Sequence, residues 1–310
     1  MPLPGTISVD LDTFRSLFYK NGEVPDKEYD GREFEEGLSN LCCFFEEFGI
    51  RTTLFCVGQD LVFPKNQQIL KSVASHGHEV ANHTMHHVQG LRLLPMERKE
   101  EEIAAFEDIC LSAIGEKPVG FRAPGWNIDE AVLEILVRRG YQYDSSIFPT
   151  FLMPIMKMTY YATARANSFP DRTTMGRLRY MLCPIEPFRT KRSSFHKGKD
   201  GLWEFPVSVS PGLRLPFFAT MLLKTGLDHF KKTFRRIKEK DKPVQLMLHL
   251  FDFVDFSSDY YHRQVARLKR VYVPQSMRID FAKKIDLIKA AVSIAAADCD
   301  FKTYKERCNS

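Results

Sequence analysis

The feature that most constrains this chain is a repeated alternation of short apolar runs with longer amphipathic segments. Strand-like runs at 6–12, 52–57, 78–82, 119–122, 141–145, 203–208 and 244–250 stand out by their apolar, β-branched or aromatic content. Between the early ones, apolar residues recur at helical spacing over 33–48, 66–75, 95–114 and 129–139. Gly49 and Gly140 close two of these helices, and a last long helix is expected at 278–297 with a short strand at 301–304. Strand, helix, strand in succession predicts parallel strands with crossover helices, as a barrel or an open sheet. All-helical and all-β folds fit poorly. At 310 residues the chain can bury one large core, and we read 1–310 as a single domain. It carries an insertion at 150–201, expected to be irregular, and a C-terminal helix and tail at 278–310.

The polar residues that matter fall at or just past the ends of the expected strands. They are Asp10 and Asp12, His83, Arg122, Asp144 and His249. In parallel α/β architectures that edge is where active sites are assembled. Asp10 and Asp12, two apart on a strand, would project to one face. Two carboxylates side by side in a core are costly unless a cation compensates. His83 and His87, four apart, would lie on one side of a helical turn and could converge on a single ion; by itself this spacing more readily suits a solvated, His-rich helix entry. One carboxylate with two imidazoles makes a three-ligand site with open positions, suited to Zn2+ and equally to Co2+, Ni2+ or Fe2+. The second carboxylate is then free to act as a general base.

Four short stretches together resemble the motifs of the NodB-type polysaccharide deacetylases, a branch of the carbohydrate esterases. They are Val9-Asp10-Leu11-Asp12-Thr13, His83-Thr84-Met85-His86-His87, Phe121-Arg122-Ala123-Pro124-Gly125-Trp126 and Leu246-Met247-Leu248-His249. The first has a spaced Asp-x-Asp where the family commonly has adjacent aspartates. That form looks like the subgroup that deformylates a lipid-linked aminoarabinose. The resemblance implies a distorted (β/α) barrel of about seven parallel strands, with the insertion between strands five and six. It implies that Asp12, His83 and His87 hold one divalent transition metal, Zn2+ first among the candidates. Asp10 would be the base, Arg122 its ion-pair partner and His249 the acid. A backbone N–H near Gly125 would steady the oxyanion, although the family usually has an aromatic residue at that position. The implied substrate is an N-acetyl or N-formyl amino sugar, free in a glycan or lipid-linked. An acid that tunes His249 is expected at Asp144 or Glu204, each of which is as readily structural. Trp126 and Trp203 could stack on a sugar, with core packing the simpler reading for both. His86 should point away from the metal.

Other features bound the setting. The net charge, 44 − 39 = +5, with no organised basic face, makes no case for nucleic acid. Seven cysteines without a CxxC pair suggest reduced thiols. No signal-like leader follows Met1, so the expected compartment is the cytoplasm, with peripheral contact at the inner membrane face. Two stretches raise that contact. The 150–201 insertion has ten Lys/Arg against three Asp/Glu, and 224–242 has eight against three. The latter more simply suits a core helix with a solvated basic face, with a grip on a phosphate-linked substrate as a further alternative. Allantoinase-like hydrolysis of a small amide, and carbohydrate binding without catalysis, are the alternative functions.

Overall fold

A computed structural model describes residues 1–20, 25, 29–163, 175–268 and 273–309 of the chain. Its strands, in chain order, are β1 (Leu3–Asp10), β2 (Thr53–Cys56), β3 (Glu79–Asn82), β4 (Gly120–Phe121) and β5 (Tyr143–Asp144). They continue with β6 (Phe188–Lys191), β7 (Ser194–Lys197), β8 (Trp203–Glu204), β9 (Val244–His249) and β10 (Cys299–Phe301). Seven of them run parallel in the order β9-β1-β2-β3-β4-β5-β8. This is the expected barrel, though hydrogen bonds do not close it. The outer edge of β8 is taken by β6, antiparallel, so β9 cannot pair there. A side-chain stitch spans the gap instead, from Gln245 N–H to Ser208 Oγ at 2.7 Å.

Helices pack outside the strands because their apolar stripes match the 3.6-residue period. Phe34, Leu38, Leu41 and Phe45 of the helix Arg32–Glu46 are fully buried with Ile7, Val9, Leu246 and Leu248. Each such side chain contributes about 1.5–3 kcal/mol. The basic segment resolves into the helices Ala219–Thr225 and Leu227–Glu239. In the second, Phe230, Phe234 and Ile237 are buried and the lysines and arginines face outward, as a core-packing helix with an exposed basic face requires.

Inside the barrel, β4 must be glycine at 120. An added Cβ there would lie 1.8 Å from the Tyr143 ring, which crosses the interior to donate to Glu79 at 2.8 Å. The chain beyond β10 corrects a sequence expectation. The last short strand is Cys299–Phe301, two residues earlier than the expected start at 301, and the helix Tyr304–Cys308 follows, capped by Thr303. Tyr304 is fully buried among Phe55, Tyr143 and Phe205 and floors the barrel.

The insertion is also more regular than expected. It carries the helix Met153–Thr163, a short helical turn at Leu178–Leu182 and the β6–β7 hairpin. Among the described residues, no helix is long and apolar enough to cross a membrane.

Candidate metal centre and active site

The parallel register sets the site. β1 pairs with β9 so that Asp10 stands beside His249, and with β2 so that Asp10 stands beside Phe55. β3 ends at Asn82 and β4 at Phe121, so His83 and Arg122 are the next residues out. Four of the expected residues therefore meet at one rim through strand ends alone.

Asp12 arrives differently from the expectation. β1 stops at Asp10, and Asp12 sits in the following loop, where Thr13 Oγ1 bonds Asp60 at 3.1 Å. His83 to His87 is likewise a loop and not a helical turn. Thr84 and His87 have φ of 66° and 54°, the left-handed region that side chains avoid. Long-range bonds hold that shape: Met85 N–H donates to Glu102 O, His86 N–H to Glu102 Oε2, and Gly58 N–H to Thr84 O. His86 does point outward, with Nδ1 2.8 Å from Glu102.

Three ligand atoms from Asp12, His83 and His87 lie within 4.8 Å of one another. His87 Nε2 is 3.0 Å and His83 Nε2 3.6 Å from Asp12 Oδ1, and Asp10 Oδ2 is 4.0 Å from His83 Nε2. Asp12 Oδ1 is buried yet accepts no hydrogen bond of good geometry. Donors bound at about 2.0–2.2 Å to one ion stand roughly 3–3.5 Å apart, so this set fits a divalent transition metal. Burial alone would raise the Asp12 carboxyl, but His87, His83 and His249 outweigh it and hold it well below the usual carboxylate range. Burial pushes His83 down, towards the neutral form a ligand needs, against the pull of Asp10 and Asp12. His83 Nδ1 lies 2.7 Å from Arg122 O, which aims Nε2 at the cluster; Gln89 stands 3.3 Å from His87 Nδ1.

Arg122 is 1% exposed and fully engaged. It donates to Asp10 Oδ1 at 2.5 Å, Ser145 O at 3.0 Å, Ser145 Oγ at 2.8 Å and Ser8 Oγ at 3.0 Å, and its guanidinium lies over Phe55 at 4.0 Å. From the barrel floor, the Tyr304 hydroxyl reaches it at 3.4 Å. The following turn bends through Gly125 (φ 58°) and Trp126 (φ 56°). Trp126 N–H donates to Ala123 O and Asn127 N–H to Pro124 O, and Gly125 lines the cavity. Trp126 packs 4.8 Å from Phe148 while lining the cavity; Trp203 lies tilted against Phe205 at 6.2 Å, outside the cavity lining. The cavity, about 530 Å3, is bounded by Asp10, Asp12, His83, His87, His249 and Gly125 among others.

The acids expected near His249 are elsewhere. Asp144 and Glu204 are wholly buried side by side on β5 and β8. Burial pushes both up, Glu204 well above its ordinary value, with Asp144's charge adding to it. They support the backbone: Ser146 Oγ donates to Asp144 at 2.6 Å and accepts from Ala123 N–H at 2.8 Å, and Ile147 N–H donates to Glu204 at 3.0 Å. The acid beside His249 is Asp252, which sequence reasoning missed. His249 N–H donates to its carboxylate at 2.9 Å, and the His249 side chain accepts from Asp252 N–H. The His-x-x-Asp spacing, a capping-box pattern, was the available signal.

Asp60 was also unforeseen. Burial first, then the nearby Glu33, pushes it up to about 8, against Arg15 and the Thr13 bond. The folded chain thus keeps a proton that the unfolded chain releases near 3.8, so this group lowers stability as pH rises from about 4 to 8. Asp60→Asn should abolish that slope. Thermal melts at pH 5 and pH 8 check it; an undiminished decline in the variant would clear Asp60 of responsibility.

Fold and site together define an α/β-barrel protein with carboxylates and imidazoles gathered on its C-terminal rim. Residues 28–143 match the polysaccharide deacetylase family, a span that holds His83, His87, Arg122, Gly125 and Trp126. The chain is 27% identical over 122 residues to a peptidoglycan deacetylase of Helicobacter pylori, covering 39% of this chain and 40% of that one. It is 30% identical over 130 residues to a peptidoglycan-N-acetylglucosamine deacetylase of Bacillus cereus, covering 40% and 59%. These matches span less than two thirds of either relative. In fold, a Mycobacterium smegmatis protein described as a polysaccharide deacetylase superposes with a TM-score of 0.61 at 15% identity, over 100% of this chain and 90% of that one. An allantoinase gives 0.51 at 12% identity, over 93% and 90%. Over residues 28–143 the chain is similar to the polysaccharide deacetylases, and its fold is shared with the solved structures above.

Proposed function

We propose that this chain, acting as one domain, hydrolyses the N-acyl amide of an amino sugar, acetyl or formyl. The observation that carries the reading is the Asp10–Arg122 ion pair at 2.5 Å, set beside the convergent Asp12, His83 and His87 and opposite His249. Asp12, His83 and His87 would hold a divalent transition metal, Zn2+ first and Co2+, Ni2+ or Fe2+ compatible, which supplies Lewis-acid polarisation of the amide carbonyl. Asp10, aimed by its ion pair with Arg122, takes a proton from the attacking water. The Gly125 N–H offers a hydrogen bond to the oxygen that becomes negative. His249, its ring anchored by the Asp252 cap, gives a proton to the amine as the C–N bond breaks. The products are a free amino sugar and a carboxylate.

A substrate whose sugar is carried on a lipid suits the cavity best, because much of its wall is apolar: Leu17, Ile155, Met156, Met175, Phe218 and Met221. That reading places the protein at the inner face of a membrane, and seven free thiols fit a reducing compartment. The allantoinase likeness supports a second reading, a small free amide as substrate.

The test is metal content with turnover. Wild type should retain about one transition metal per chain and release acetate or formate from N-acyl amino sugars. His83→Ala/His87→Ala should retain none and release none. A wild type that takes up no Zn2+, Co2+ or Ni2+ would sink the hydrolytic reading and favour carbohydrate binding without catalysis. Turnover of small amides alone would favour the second reading.

A further inference from the structure

The insertion leaves an apolar rim at the mouth of the cavity. On the helix Met153–Thr163, Ile155 is 57% exposed while also lining the cavity, and Met158, one turn on, is 67% exposed. Leu182 at 74% and Leu213 at 61% continue the surface. Arg214 ties these pieces into one patch. Its guanidinium lies 4.8 Å over the half-exposed Phe151 ring and donates to the Met181 and Cys183 carbonyls, on either side of Leu182. Soluble surfaces rarely gather so many large apolar side chains together. A water-borne glycan would gain little from such a rim, since sugars are gripped by hydrogen bonds.

Charge indicates what covers it. The β6–β7 hairpin leans on the same patch, with Phe195 5.4 Å from Tyr180 of the Leu178–Leu182 turn. It holds Lys191, Arg192, Lys197 and Lys199 out into solvent. Over the described part of 150–201 there are eight Lys/Arg against two Asp/Glu. Exposed apolar side chains flanked by cations match the chemistry of an anionic bilayer, with an apolar interior beneath negative headgroups.

We infer that this rim seats the protein on an anionic lipid surface, with Ile155 marking the passage by which an apolar chain enters the cavity. The inference rests on the lipid-linked substrate reading and assigns it a surface. The full-length chain is mixed with phosphatidylcholine vesicles with and without phosphatidylglycerol, beside a Met158→Glu/Leu182→Glu/Leu213→Glu variant. Wild type should co-sediment with the anionic vesicles and the variant about tenfold less or worse. Both should hydrolyse a short, water-soluble N-acyl amino sugar equally. Wild type that hydrolyses the soluble sugar but ignores vesicles overturns the inference and leaves the deacylase reading intact. Vesicle binding without hydrolysis of any substrate does the reverse. Equal binding to neutral vesicles, or a wild-type dimer that the variant breaks, would also overturn it, the latter by showing that a second copy covers the patch.

Discussion

Asp10→Asn should give a folded chain that still takes up metal yet turns over about 10²–10⁴-fold more slowly. The substitution is nearly isosteric, and the amide oxygen can still accept from Arg122, so the hydrogen-bond frame around the guanidinium survives. What is lost is the negative charge able to take a proton. The metal-binding set keeps all three of its donors, because Asp12, His83 and His87 are unchanged. Steady-state rates measured with the metal content of the same samples separate the two effects. Full activity in Asp10→Asn would remove Asp10 as the base and turn attention to Asp12 or Asp252.

The second large effect is on stability. Arg122→Met should cost about 3–5 kcal/mol, since it leaves the Asp10 carboxylate buried with no counter-charge. Ser8 and Ser145 lose their shared donor as well. Arg122→Lys should recover only part, because a single ammonium cannot reach Asp10, the Ser145 carbonyl and Ser8 together. Urea unfolding measures this, and a double-mutant cycle identifies its cause. If the ion pair is responsible, adding Asp10→Asn to Arg122→Met should relieve much of the loss. Strictly additive losses would place the cost in packing around Phe55 instead.

Much of this site can be read along the chain because strand ends are local. Asp10, His83, Arg122 and His249 each terminate an apolar run, and parallel register brings such termini to one rim. The loop shapes were not legible. The four-residue spacing of His83 and His87 suggested a helical turn, but bonds from Glu102 and Gly58, distant in sequence, impose left-handed backbone at Thr84 and His87. Asp12 was placed on a strand that in fact ends two residues earlier. The Asp144–Glu204 pair looked chemical because both acids sit at strand ends, yet each turns into the backbone of its neighbours. Periodicity reports which face of a segment is buried, not which partner awaits it there. For the same reason the open seam between β8 and β9 could not be foreseen: it depends on a hairpin from the insertion reaching an edge first.

The barrel floor carries a consequence for how the protein is made. β1 is synthesised first, but its neighbours include β9 and β10, and the Tyr304 ring beneath Arg122 comes later still. On the ribosome, β1 must therefore wait until β9 and β10 have been made before those partners exist. Contacts of such long sequence separation form slowly. Until they form, the apolar faces of β1 and β2 are open to chaperones or to aggregation, and the Asp10–Arg122 pocket lacks its Tyr304 floor. Competence should thus appear late and abruptly in synthesis, and a cut that removes the helix Tyr304–Cys308 would silence a site whose charged groups it never touches.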